Sequence, residues 1–113
     1  MVIIKEKTNG TLQEVFDVKS LSISQFLDFI KKGRKGTRLQ YTSTQGFSVT
    51  NISICDIFDL AIRNGALSLL VGRKVLEFNL KSICFIEEQP IGYNVSNFKL
   101  YFKDKSELAM ELR

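Results

Sequence analysis

Turn signals fall at short intervals along this chain, and each separates two runs of β-forming residues. Asn9-Gly10, Gln45-Gly46 and Gly72-Arg73 put glycine where a tight hairpin turn needs a positive φ. Strands joined by so few residues must be antiparallel neighbours, because a parallel pair needs a crossover of a dozen or more residues. The runs are Val2 to Lys7 and Leu12 to Val18, Thr37 to Thr44 and Phe47 to Ile54, and the two halves of Ala66 to Asn79. In the last hairpin, a turn centred on Gly72-Arg73 sets Leu69 opposite Leu76 and Leu67 opposite Phe78.

Further along, Ser82 to Glu88 reads as a strand with Ile83, Phe85 and Glu87 on one side and Cys84 and Ile86 on the other. Gln89 to Asn97, which holds the single proline, reads as a loop. Phe98 to Lys103 and Glu107 to Leu112 alternate apolar with polar residues. With Lys103 facing Glu107, Phe98, Leu100 and Phe102 oppose Leu112, Met110 and Leu108, and Lys99 opposes Glu111 across an Asp104-Lys105-Ser106 connection.

One helix stands out. Ser22 is placed to cap it and Gln25 to complete a capping box, with Leu21 and Phe26 as a hydrophobic staple. Ile23, Phe26, Leu27 and Ile30 repeat at the spacing of one buried face. Lys31 and Lys32 suit its negative end, and Gly33 suits the left-handed residue that stops it. Cys55 to Gly65 fits two patterns: a short helix on Ile54, Ile57, Phe58 and Ala61, or a strand on Ile52, Ile54, Phe58, Leu60 and Ile62 entering an Asn64-Gly65 turn. Asp56 and Asp59 near its start and Arg63 near its end tilt the balance to the helix.

The expected fold is therefore α+β and mainly antiparallel β, a small curled sheet or partial barrel of about seven to eight strands with one or two helices. At 113 residues the chain, residues 1–113, makes a single domain. The order of the helix Ser22 to Lys32, the hairpins Thr37 to Ile57 and Ala66 to Asn79, and the strand Ser82 to Glu88 is similar to that of an Sm-like barrel. Its final strands resemble Val75 to Ile86, with 56–65 as an insertion. The aromatic-lysine-histidine cluster that contacts RNA in bacterial Sm-like proteins has no counterpart around Phe78-Asn79-Leu80, so the resemblance implies topology alone. Phe78 to Glu88 with Phe98 to Leu108 likewise resembles the opening strands of a LytTR-type DNA-binding domain, without that family's base-reading loops.

The chain has no histidine, which removes the commonest general base and metal ligand together with every Ser-His and Cys-His pair. No nucleophile, metal or phosphate motif replaces it, so the expectation is a protein that is not an enzyme, with no catalytic residues, metal or cofactor and no evident small-molecule substrate. Cys55 and Cys84 sit in apolar sequence and read as buried thiols. Asp56 with Asp59, and Glu87 with Glu88, read as helix-start and strand-end charges. Met1-Val2-Ile3-Ile4 is stopped by Lys5, and no apolar run approaches the ~20 residues that span a bilayer. A cytoplasmic protein that meets no membrane is the expectation.

Two partner classes fit the rest. Lys and Arg number 16 against 12 acids, for a net charge of +4. Five of the cations, Lys31, Lys32, Arg34, Lys35 and Arg38, fall within eight residues, inside a 27-residue span from Phe29 to Cys55 that has no acid. Interleaved glycines let a backbone approach phosphate, and Tyr41 and Phe47 offer stacking surfaces, so a small regulatory module binding nucleic acid through these residues is the first reading. A solvated helix end is the plainer one. The alternative is a protein-interaction or inhibitor module, self-associating or not. It would use a sheet edge such as Glu107 to Leu112, or the 89–97 loop with Tyr93 as its contact residue.

Overall fold

The computed structural model describes residues 3–8, 11–15 and 18–113. A first hairpin pairs β1 (Ile3–Thr8) with β2 (Thr11–Val15); its Asn9-Gly10 turn lies outside the described residues. There follow β3 (Lys19–Leu21), α1 (Ile23–Lys31), β4 (Lys35–Gln45), β5 (Ser48–Ile54), β6 (Phe58–Arg63), β7 (Ala66–Val71), β8 (Lys74–Asn79), β9 (Ile83–Gly92), β10 (Val95–Phe102) and β11 (Glu107–Leu112). Among the described residues, nine strands form one sheet in the order β3-β9-β10-β11-β4-β6-β7-β8, with β5 also on β4. All its pairings are antiparallel. The α+β, mainly antiparallel expectation holds, with more strands than the seven or eight counted from sequence.

The branch at β4 gives the sheet its shape. Eleven residues long, β4 pairs on one side with β11 and on the other first with β6, through Lys35 and Gly36, and then with β5, from Leu39 to Gln45. The chain passes between these two partners at Cys55 to Ile57, where the Asp56 carboxylate accepts the Ile57 N–H at 2.8 Å. From there β6, β7 and β8 curl back over the sheet: the Phe78 ring of β8 lies 5.3 Å from Tyr41 of β4 and 5.5 Å from Phe102 of β10. A 3-10 turn at Leu80–Ser82 returns the chain to β9. The sheet curls without closing.

α1 seals one side of the core. Its capping box forms as the sequence implies, with Gln25 N–H donating to Ser22 Oγ at 3.1 Å and Ser22 N–H to Gln25 Oε1 at 2.9 Å. Gly33 follows at φ +80°. Phe26 and Ile30 are buried, and the Phe98 ring of β10 meets Phe26 at 5.4 Å and Phe29 at 4.7 Å. The core continues through Leu67, Leu69, Ile86, Leu100, Leu108 and Met110.

The hairpin β7–β8 has the inferred pairs, Leu69 with Leu76 and Leu67 with Phe78. Other readings are corrected. Residues 54–64 hold no helix: Phe58 to Arg63 is β6, joined to β7 by Asn64 at φ +52° and Gly65 at φ +74°. Leu60 and Ile62 face Leu69 and Leu67, whereas Ile57, needed for a helical stripe, is 64% exposed. Cross-strand pairing with an already apolar β7 outweighs the weak dipole preference of two aspartates.

Residues 89–97 are not a loop, since β9 runs to Gly92 and β10 starts at Val95, leaving Tyr93 and Asn94 as a turn. A register shift near Cys84 breaks the alternation of β9, so that Ile83 and Ile86 are both buried and Cys84 is exposed. Cys55 is exposed as well, because it lies where β5 gives way to β6. The β10–β11 faces are as inferred but the pairing is displaced by two residues. Phe98 opposes Met110, Leu100 opposes Leu108, and Lys99 opposes Ala109 instead of Glu111. The cause is the connection: Ser106, nearly fully buried, donates both its N–H and its hydroxyl to the Asp104 carboxylate, and its carbonyl accepts from Phe102 N–H at 3.0 Å. These bonds hold Asp104 below the usual carboxylate range and draw Phe102 into the loop closure. Finally, β11 is no edge, for it runs between β10 and β4.

Candidate binding site

Side chains alternate across the sheet, and the face turned away from α1 and the core carries polar ones. Cross-strand registers align them in rows. One row runs Glu87, Lys99, Ala109, Gln40, Ser53 over five strands; beside it run Gln89, Asn97, Glu111 and Arg38. Ala109 is the small residue between two long ones, and around it the face sinks into an open trough of about 530 Å³. That volume is in the range of ligand sites. Its lining combines apolar residues such as Val18, Leu39, Ile54 and Met110 with both signs of charge and amide groups.

The charges along one flank are organised. Lys99 Nζ lies 3.5 Å from a Glu107 oxygen and 5.2 Å from the centroid of the Tyr101 ring. Burial works against the Lys99 ammonium, but Tyr101 and Glu107 outweigh it and hold its pKa above the ordinary lysine value. Burial raises the Tyr101 phenol, with Lys99 pulling the other way. Lys99 is thus a cation and Tyr101 a neutral donor at neutral pH, and the phenol donates to Glu87 at 3.3 Å. Tyr101 is itself fixed by stacking on Phe85 at 4.2 Å and 16°. On the other flank Arg113 holds Glu111 at 3.6 Å, and Arg38 is the cross-strand neighbour of Glu111.

The residues singled out from sequence divide between places. Lys31 and Lys32 are exposed at the end of α1. Arg34 turns back with its guanidinium carbon 4.3 Å from the Phe29 centroid, and Lys35 lies 3.6 Å from Asp59. Arg38 leaves this group for the trough, and Tyr41, on the opposite face of β4, packs on Phe78. Phe47 stands fully exposed at the β4–β5 turn, and Tyr93 is 93% exposed at the β9–β10 turn. Among the described residues, no three His, Cys, Asp or Glu side chains form a group that could hold a metal ion, and no helix is long and apolar enough to cross a membrane. Sequence alone does not mark Gln40, Asn97, Lys99, Ala109 and Glu111 as site residues, and it reads Glu87 only as a strand-end charge. Their signal was the lone alanine among the large residues of β11 and the amides at outward positions, but only the pairing of distant strands brings them together.

The sequence matches no family model and no curated protein. Among solved structures it is similar to one described as "Structure of the Heme Binding Protein ChuX", at 10% sequence identity and a TM-score of 0.45, over 82% of this chain and 62% of that one. The match spans less than two thirds of that structure, and at this level it bears on neither ligand nor site.

Proposed function

We propose that this chain is a binding module without a catalytic centre of its own, and that the outer-face trough receives an extended segment of a partner protein carrying charges of both signs. The observation that supports this reading is the lining: Arg38 and Lys99 stand among Glu87, Glu111, Gln40, Gln89 and Asn97 above an alanine floor. Such a lining offers a peptide backbone donors and acceptors, and its side chains ion pairs of either polarity. Panning a random-peptide display library against the protein tests it. Selected peptides are expected to contain both acidic and basic residues, to shift the backbone amide resonances of Gln40, Asn97 and Lys99, and to lose at least tenfold in affinity (about 1.4 kcal/mol) against Ala109→Phe, which fills the trough. Peptides that map elsewhere, or that bind the filled variant equally well, would overturn the reading.

A second reading keeps nucleic acid as the partner, favoured by the clustered Lys31, Lys32, Arg34 and Lys35 at the end of α1, of which Lys31 and Lys32 are exposed. It dispenses with Arg38 and Tyr41, which face elsewhere. Affinity for single- or double-stranded DNA or RNA should then fall steeply between roughly 50 and 200 mM salt, and Lys31→Ala with Lys32→Ala should flatten the slope by about two units, one per lost phosphate contact. An unchanged slope would count against it.

A further inference from the structure

One edge of the sheet is unguarded. β5 pairs with β4 along one side, and among the described residues no strand pairs with its other side. Its seven residues, Ser48 to Ile54, include six β-branched or hydroxylated positions and neither proline nor charge, and no charged residue occurs anywhere between Arg38 and Asp56. The edges at β8 and β3 differ: β8 carries Lys74 and Glu77, and β3 is three residues long and begins with Lys19. Charge, proline and brevity are the usual means by which proteins block strand addition.

We propose that β5 pairs with β5 of a second copy, antiparallel about a two-fold axis through Asn51. The β4–β5 turn leaves only Gly46 and Phe47 unpaired, so Gln45 and Ser48 form its hydrogen-bonded closing pair, and the alternation of an antiparallel ladder then turns the peptide groups of Val49, Asn51 and Ser53 outward. A two-fold at Asn51 matches these three to one another: Asn51 to its own copy, and Val49 to Ser53 of the second copy in both directions. Isologous pairing requires this self-complementarity, and a neutral strand meets no like charge in it even though the chain as a whole is positive. The Asn51 Oδ1 already accepts from Thr42 Oγ1 at 2.9 Å, leaving its amide N–H groups free to donate across the axis.

Exposed apolar residues favour the same arrangement. Phe47 and Val49, the latter 61% exposed, stand at one end of β5, and Ile57, 64% exposed, follows its other end. Antiparallel pairing sets the Phe47–Val49 end of each copy beside the Cys55–Ile57 end of the other, covering on both copies side chains that a monomer leaves in water. The troughs, whose longer row ends at Ser53, would then adjoin across the axis. The dimer does not depend on what the trough binds.

Sedimentation velocity over about 10–500 μM spans the affinities expected of a small interface, and the wild type should move from monomer to dimer within it. Val49→Pro removes one outward N–H per copy while sparing the bonds to β4 and every trough residue, and should leave a monomer with unchanged circular dichroism. Asn51→Asp and Asn51→Lys put like charges on the axis and should each be monomeric alone, yet associate as a heterodimer when mixed. A wild type that stays monomeric throughout, a dimer that survives Val49→Pro, or a mixture of the two charged variants that fails to associate would each overturn the proposal.

Discussion

Gly36→Ala is expected to destabilise the protein by about 3 kcal/mol or more, beyond the usual 1–3 kcal/mol for an overpacked core because the intruding atom meets an immobile ring. Gly36 lies directly opposite Phe58, in the short stretch where β4 pairs with β6, and Phe58 is 1% exposed. A Cβ on Gly36 would overlap Cζ, Cε1 and Cε2 of that ring. The absence of a side chain at 36 is what admits Phe58 to the core, and the backbone of Gly36 needs no unusual φ. The strain is therefore steric, and it can be relieved from the other side. Phe58→Ala alone should cost roughly 3–5 kcal/mol through its cavity, but combined with Gly36→Ala the total should fall short of the sum by 1 kcal/mol or more, a coupling typical of residues in contact. Urea denaturation of the four proteins checks it, and strict additivity would mean that Phe58 moves aside without cost.

The legible parts of the fold are those governed by neighbouring residues. Ser22 and Gln25 close the capping box in one turn of chain, and Gly72 with Arg73 fixes the β7–β8 register because a two-residue turn admits only one. The illegible parts depend on partners far away in sequence. Glu107 to Leu112 gave its buried face by alternation, yet the last strand of the chain lies in the middle of the sheet because β4 pairs with it. Nothing local in either segment signals that pairing. Phe58, Leu60 and Ile62 became a strand since β7 and β4 offered them ladders, and the competing helical spacing in the same residues had no face to bury. At the candidate site the same division applies. The cations from Lys31 to Lys35 stay at one end of α1 because they are neighbours in sequence, whereas Arg38 and Tyr41, three residues apart on a strand, face opposite ways. The trough belongs wholly to the non-local part, since each of its rows crosses four or five strands.

Phe98→Ala should be the most damaging single truncation, at roughly 3–5 kcal/mol plus about 0.5–1.5 kcal/mol for each aromatic pair lost. The ring is fully buried and is the point at which α1 meets the sheet, through Phe26 and Phe29. Phe29 in turn carries the Arg34 guanidinium, so the first residues after the helix lose their anchor with it. Against a total stability of about 5–15 kcal/mol for a domain, this variant sits near the folding threshold. Phe98→Leu keeps most of the volume and should recover more than half of the loss. The consequence also reaches the other face of β10, since Asn97 and Lys99 line the trough on either side of the residue that pins their strand from below. Hydrogen exchange separates the two effects. Amides of α1 should lose protection first in Phe98→Ala, with those of Asn97 and Lys99 following, whereas β7 and β8, held by the Leu67–Phe78 and Leu69–Leu76 pairs, should exchange only with global unfolding. Uniform loss of protection across all strands would show instead that α1 and the sheet unfold as one cooperative unit, and that the trough cannot loosen while the rest of the fold remains intact.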